Sequence, residues 1–597
     1  MSSNEIRKMY LTFFEEKGHT VLPSASLIPV NDPTLLWINA GVTPLKKYFD
    51  GSIVPKNRRM VSCQKCIRTN DIENVGKTAR HHTFFEMLGN FSVGDYFKKE
   101  AIEYSYELLT SEKYFGLDKD KLYMTIYTDD DEAYNLWIEQ GVDPDHLIRL
   151  ESNSWEIGEG PSGPDSEIFY DRGEEYDPEN KGIALLKEEI ENERYVEIWN
   201  NVFSMYNAKE GIDRKDYQEL PSKNIDTGMG LERMASILQN TKTNFETDLF
   251  FPIIEEICKI SGKEYNDEMS FKVIADHVKA LTFALSDGAS FSNEGRGYVL
   301  RRLLRRASRY GKKLGIEGPF IYKLVPVVVS MMSEIYPNLV EKKDLTSKLI
   351  LKEEELFGKT LASGEEKLEQ IIKNAKSNVI SGVEAFKLYD TYGFPCELTM
   401  EYLAEKGYTI KKDEFDDCML KQKERARLAR GKEVSMNTQN EALLKFEEKS
   451  VFVGYETYET NAKVIALLKD GELVPELNGE GHIILDKTPF YAEKGGQVAD
   501  TGTITGSEFT FIVSDVTEAP HKQHLHYGKT DGTIKVGDEV KATIDTARRE
   551  DIAKNHSATH LLQEALKEAL NESVIQAGSR VDETKLRFDF TYQGDIV

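Results

Sequence analysis

With 597 residues, 40% of them hydrophobic and 30% charged, the chain is too long for one core and too ordinary in composition to be fibrous or disordered. No apolar run approaches the ~18–20 residues of a membrane-spanning helix, and the mixed-charge start MSSNEIRKMYLTFFEEKG lacks the basic-then-apolar layout of a secretory signal. Five cysteines do not make a disulfide framework, so a reducing, cytoplasmic setting is expected, and a net charge of -26 disfavours nucleic-acid binding except through a local basic patch.

Residues 1 to about 240 alternate β-rich runs with short helices; LYMTIYT (122–128) and YVEIWNNVFSMYN (195–207) read as strands. From about 245 to 450 the text turns helical, with 3.6-residue spacing in FKVIADHVKALTFAL, YVLRRLLRRASRYGKKL and LILKEEELFGKTLASGEEKLEQIIKNAK. DDCMLKQKERARLARGKEVS (416–435) reads as a polar connecting helix. From about 450, KVIALLKDGELVPEL, GHIILDKTPFYAEKGGQVADTGTI and EVKATIDTARR are short β-rich pieces with glycine turns, as in a small barrel. A helix begins near Asp551, and KLRFDFTY reads as a last strand.

Three stretches carry candidate chemistry: LIPVNDPTLLWINAGVTPLKKYF (28–49), CQKCIRTNDIENVGKTARHHTFFEMLGNFSVGDYF (63–97) and NIDTGMGLERMASILQ (224–239). In the third, Gly228 and Gly230 stand where a strand runs into a helix, and glycines there let the backbone approach a ligand closely. Arg233 in the first turn of that helix suits a polyphosphate, being bidentate and permanently charged. The second stretch reads as two strands joined by a polar loop, with Arg68 at the end of the first strand and His81, His82, Phe84, Phe85 and Met87 at the start of the second. One of Phe84 and Phe85 is expected in the core, since a strand has two faces. Gly158, Gly160 and Gly163 satisfy G-x-G-x-x-G, but Pro161 and Pro164 disfavour the helix that a dinucleotide fold needs next.

These stretches resemble motifs 1, 2 and 3 of class II aminoacyl-tRNA synthetases, and the wording TARHHTFFEMLGNFS with DTGMGLER and NDPTLLWINAG resembles the alanyl-tRNA synthetase family in particular. The resemblance runs from about residue 5 to the last residue. It implies an α+β chain: a class II antiparallel β-sheet with flanking helices (1–242), a helical acceptor-stem recognition domain (243–450), a small β-barrel (451–548) and an incomplete α+β editing domain (549–597). It implies formation of alanyl-adenylate from ATP and L-alanine with Mg2+, then transfer to tRNA(Ala). The attacking carboxylate is already an anion, so positioning and charge neutralisation carry the reaction. The implied ATP residues are Arg68, His81, His82, Phe84, Phe85, Met87, Glu232 and Arg233, with Arg68 and Arg233 catalytic. Asp226 would take the alanine ammonium, Trp155 and Val202 would wall the pocket, and Gly228 would floor it. Ser162 and Asp165 stand where the family usually has cysteines.

Between Arg296 and Lys313 lie eight basic residues and no acidic one. Arg301, Arg302, Arg305 and Arg306 are candidates for tRNA phosphates, against the alternative of a face paired with acidic neighbours. The resemblance adds Asn293 and Asp390 as readers of a G·U pair. His556 and His560, at i and i+4, resemble half of the family's editing zinc site, and Gln576 matches another residue there. Ala558, Leu561, Leu562, Ala565, Leu566 and Ala569 form the opposite, apolar stripe. No cysteine or histidine follows His560, so a zinc site would be left incomplete and editing impaired. The expected form is a truncated monomer with no membrane association. The alternative reading is a truncated paralogue that activates a small amino acid for a non-tRNA acceptor.

Overall fold

The computed structural model describes residues 1–30, 32, 34–292, 295–375, 377–392, 396–418, 440–570 and 574–592. Its first half is built on a nine-stranded sheet: β1 (Thr20–Leu22), β2 (Arg59–Ile67), β3 (Phe84–Val93), β4 (Leu122–Tyr127), β5 (Leu147–Leu150), β6 (Ser154–Glu156), β7 (Gly160–Asp171), β8 (Tyr195–Ala208) and β9 (Gln218–Gly230). The strand order is β1-β2-β3-β9-β8-β7-β4-β5, with β6 paired to β7. The two outer pairs, β1–β2 and β4–β5, are parallel, and the pairs between them are antiparallel. The G-x-G-x-x-G stretch is a hairpin: Gly158 and Gly160 take φ of 94° and 113°, the left-handed region that favours glycine, and β7 follows rather than a helix.

Helix α1 (Ser3–Glu16) opens with a capping box between Ser2 and Glu5, which satisfies N–H groups that the helix leaves without partners. Its buried face, Ile6, Tyr10, Phe13 and Phe14, covers one side of the sheet, with Tyr10 and Phe14 against the Trp199 ring of β8. Helix α2 (Leu231–Leu238) continues from β9 with Gly230 as its N-cap.

The helical region is packed more deeply than its periodicity suggests. Helix α3 (Met269–Ser286) is buried continuously from Phe271 to Ser286, including Lys272, Asp276, His277, Lys279 and Thr282. It lies between β3, helix α4 (Gly295–Lys313) and helix α5 (Asn338–Asn374). One hydrophobic cluster runs from Ile6 through the sheet and α3 to Leu403, so sheet and helices share a core across residue 242. Most of the expected polar helix over 416–435 lies outside the described residues.

A separate core fills a closed antiparallel barrel. Its six strands run in the spatial order Glu459–Lys469, Glu476–Leu485, His524–Lys535, Thr510–Glu518, Gly502–Thr505 and Glu539–Ile544, and the last pairs with the first. Helix α6 (Thr546–Leu570) follows, then a hairpin of Ile575–Val581 and Leu586–Thr591. The apolar stripe expected on α6 is uncovered: Leu561 is 73% exposed, whereas Ile552 and Thr559 are buried. Periodicity marks the polarity of a face but not whether another element covers it. No described helix is long and apolar enough to cross a membrane.

Candidate active site

A cavity of about 390 Å³ opens on the sheet face away from α1, where β3, β9 and β8 lie side by side. Strand alternation decides which side chains reach it. On β3, Phe85 and Met87 face the cavity while Phe84, Glu86 and Leu88 face the core. On β9, Asp226, Gly228 and Gly230 face it, and Thr227 and Met229 are buried behind. The register puts Asp165, Val202 and Asp226 in one row across β7, β8 and β9, and Glu167, Asn200 and Gly228 in the next.

Two arginines mark one end. Arg68, just past β2, donates Nε–H to the Asn39 carbonyl at 3.2 Å and holds its guanidinium 4.9 Å from the centre of the Phe85 ring. Arg233, in the first turn of α2, donates through Nη1 to the Glu197 carbonyl and carboxylate at 2.9 and 2.8 Å. Arg233 and Arg68 hold the half-buried Glu197 carboxyl below its ordinary range despite desolvation. Glu167 is driven the other way, by burial first and by Glu197 second. Glu232, also on the lining, is pushed up by burial and accepts from the Glu86 N–H.

At the other end stand Asp226, Val202, Gly228 and Met87. Burial alone pushes the Asp226 carboxyl up to about 7. A Cβ on Gly228 would meet the Met87 sulfur at 2.9 Å, so a side chain here would have to displace the end of the Met87 side chain. Beside it, Asp165 is raised to about 7 by burial, and it accepts from Asn153 Nδ2 at 2.8 Å.

Most residues expected at the site converge on this cavity: Arg68, His81, His82, Phe85, Met87, Val202, Asp226, Gly228, Glu232 and Arg233. Two do not. Phe84 is fully buried with its ring stacked 4.2 Å from Phe283, because its neighbour Phe85 takes the cavity face. Trp155 sits on β6, opposite Gly163 and off the cavity lining. His82 reaches the lining but is 4% exposed, stacked on Phe250 at 4.6 Å and bonded to Asn244 at 2.9 Å. Glu167, Glu197 and Asn200 also line the cavity and were not singled out in the sequence. Only the β7–β8–β9 register, a non-local pairing, brings them there.

The basic segment folds inward. Arg306 is 1% exposed and Arg309 3%. Arg301 pairs with Glu353 at 2.8 Å, Arg302 with Glu73, and Arg305 lies 5.3 Å from the Phe357 ring centre. The expectation of a phosphate-facing ridge is therefore corrected for Arg306: a guanidinium buried against α3 cannot meet a phosphate in this conformation. Asn293 and the Asp390 side chain lie outside the described residues.

On α6 the rings of His556 and His560 lie 5.2 Å apart, and His556 Nδ1 is 2.7 Å from Gln497 Oε1. Gln576 is exposed and donates to Ser579. Among the described residues no group of three or more His, Cys, Asp or Glu could hold a metal.

The model of the family described as tRNA synthetases class II (A) matches residues 5–548. The chain is 55% identical, over 100% of its length and 69% of the relative's, to the alanine--tRNA ligase of Lactococcus lactis subsp. lactis (strain IL1403). It is 56% identical, over 100% of its length and 68% of the relative's, to that of Acholeplasma laidlawii (strain PG-8A). Among solved structures, that of apo S. aureus histidyl-tRNA synthetase aligns over 41% of this chain and 68% of that one, at 10% identity and a TM-score of 0.26.

Proposed function

The chain belongs to the class II tRNA synthetases (A), and from that premise we propose that the cavity on its sheet is where alanine is joined to ATP and then passed to tRNA. The enzyme is an aminoacyl-tRNA synthetase that charges tRNA with alanine, as identity above one half over the whole chain to alanine--tRNA ligases supports. The single observation that carries the site is one cavity with arginines at one end and, at the other, the Asp226 carboxyl raised by desolvation alone.

The division of labour follows from charge. Asp226 receives the alanine ammonium, Val202 walls the methyl group, and Gly228 floors the pocket over Met87. Phe85, under Arg68, gives the adenine a face on which to stack. Arg68 stands beside the α-phosphate and Arg233 takes the distal phosphates, both as fixed bidentate donors. The alanine carboxylate attacks the α-phosphorus, an Oα–P bond forms and pyrophosphate leaves. No side chain needs to remove a proton, so what these residues supply is alignment and neutralisation.

Glu167 and Glu197, a crowded carboxylate pair on the lining, fit Mg2+, which is commonly held by one or two carboxylates together with substrate phosphates. When bound there, Mg2+ neutralises phosphate charge. His556 and His560 alone do not fit a catalytic zinc, which takes three protein ligands. The tRNA acceptor stem is assigned to the face carrying Arg301, Arg302 and Arg305, with Asn293 and Asp390 reading the G·U pair. Domain limits at 242/243, 450/451 and 548/549 belong to the same proposal.

The test is ATP-dependent attachment of alanine to a short acceptor-stem RNA with its G·U pair intact or changed to G·C. Charging of the wobble form alone is expected. Normal alanine-dependent pyrophosphate exchange with no charging of either RNA would favour the non-tRNA acceptor.

A further inference from the structure

The segment between Arg68 and Thr83 carries the groups assigned to ATP, yet it is a loop, and its hold comes from the helical region behind it. Its first half ends in the turn Asn70–Glu73, and the Glu73 carboxylate accepts from Arg302 of α4. Its second half rests on Asp276 of α3: Thr83 N–H donates to Oδ1 at 2.9 Å, and His82 Nδ1 lies 3.4 Å from the same oxygen. Asp276 Oδ2 lies 2.8 Å from His277 Nδ1, and His277 Nε2 lies 3.2 Å from Arg306 Nη1.

Donor and acceptor roles along this chain are forced. Arginine only donates, so His277 Nε2 accepts and its proton sits on Nδ1, directed at Asp276. His82 Nε2 accepts from Asn244 Nδ2, which leaves its proton on Nδ1, 3.4 Å from Asp276 Oδ1 without a hydrogen bond to it. The carboxylate thus accepts from two N–H groups, one of them Thr83 at the end of the ATP loop, with the His82 ring close beside it, and the chain reaches the guanidinium on α4. His82, Asp276, His277 and Arg306 are 4%, 0%, 0% and 1% exposed. Apolar side chains of similar volume would stabilise such a place as well or better, so fold stability alone does not account for a buried charged chain.

We propose that Asp276, His277 and Arg306, with the Arg302–Glu73 pair, form a clamp that positions the 68–83 loop for ATP; Asp276 and Arg302 are positioning residues that touch neither ATP nor alanine. The proposal rests on the reading of the cavity as the ATP and alanine site. Helices hold a site more accurately than loops, and a shift of about 1 Å in a positioning contact can cost on the order of 10²-fold in rate. Because the alanine end is built on β8 and β9, loosening the clamp should act on ATP and leave alanine alone.

The experiment is alanine-dependent ATP–pyrophosphate exchange with the full chain, measuring KM for each substrate in Asp276→Asn, Arg302→Met and the reversed pair Glu73→Arg/Arg302→Glu. In Asp276→Asn an amide donor must face either the Thr83 or the His277 N–H. The expected result is a KM for ATP raised about tenfold in both single changes, with KM for alanine within twofold and thermal unfolding near that of the parent. The reversed pair should recover most of the loss, which a merely structural role for Arg302 would not produce. An unmoved ATP KM in folded variants, or both KM values rising together, overturns the clamp. Should Asp276→Asn not fold, Arg302→Met and the reversed pair decide alone, since that pair is partly exposed. Absence of exchange in the parent chain would instead overturn the reading of the cavity itself.

Discussion

Lowering the pH from 8 to 6 should weaken alanine binding through one group, Asp226. Burial raises its carboxyl to about 7, and no neighbouring charge contributes to that shift. The sign is fixed by chemistry: the ammonium of alanine needs the carboxylate, so binding is full above the raised value and fades as the pH falls through it. With a value near 7, roughly nine-tenths of the free enzyme carries the charge at pH 8 and roughly one-tenth at pH 6. The kcat/KM for alanine at saturating ATP, which reports groups of the enzyme before alanine binds, should therefore fall about tenfold over that range. Bound ammonium favours the carboxylate, so kcat should change far less. Other groups titrate nearby: Asp165 is raised to about 7 and Glu167 is raised as well, while His81 and His82 are lowered. Asp165→Asn controls for the nearest of these and should keep the slope, whereas Asp226→Asn should abolish most exchange. The assay is initial-rate pyrophosphate exchange in buffers of constant ionic strength. A flat kcat/KM for alanine between pH 6 and 8, or a slope that disappears in Asp165→Asn, would refute the assignment of Asp226.

Gly228→Ala should raise KM for alanine by about 10–200-fold while sparing KM for ATP, because the new Cβ lies 2.9 Å from the Met87 sulfur on the pocket wall; amino-acid saturation curves test this. Arg233→Lys should lower kcat for exchange by about 10²-fold, since an ammonium cannot copy the bidentate guanidinium held by Glu197; steady-state rates at saturating substrates test this. Trp199→Ala should cost about 3–5 kcal/mol, as the ring is fully buried against Tyr10 and Phe14; urea unfolding measures it. His556→Ala should leave hydrolysis of Ser-tRNA by this chain little changed, and a large loss in a deacylation assay would contradict the reading of the histidine pair.

Residues whose role depends on local chemistry were legible in the sequence. Arg233 follows glycines at a strand-to-helix junction, and Arg68 closes one strand of a hairpin, so both could be read as anion contacts before any fold was known. What escaped were choices made by distant partners. Alternation shows that Phe84 and Phe85 face opposite ways, but only the pairing of β3 between β2 and β9, with α3 beneath, puts Phe85 in the cavity. Glu167 and Glu197 lie about thirty residues apart in sequence and meet only because β7 and β8 pair. The basic run on α4 reads as an exposed ridge because its acidic partners, Glu73 and Glu353, come from other elements. A charge pattern fixes where cations sit along a helix, and tertiary partners decide which of them meet water.

The same pairing of distant charges addresses a difficulty that the composition raises. A chain of net charge -26 must admit a triphosphate, and the described cavity lining itself has five carboxyl groups (Asp71, Glu167, Glu197, Asp226, Glu232) against three arginines (Arg68, Arg80, Arg233). Were every one of them ionised, the cavity would repel ATP. Burial changes that balance, since it raises Glu167, Asp226 and Glu232 toward or above neutrality. Their negative charge is thereby reduced in the free enzyme, while Arg68 and Arg233 stay charged. On the proposed assignments, the alanine ammonium would favour the carboxylate form of Asp226, and Mg2+, if held by Glu167 and Glu197, would favour that of Glu167. On this account the desolvation that makes the carboxyls weak acids is what lets one acidic cavity take up an anion and two cations together, and it ties the occupancy of the alanine end to the charge felt at the phosphate end.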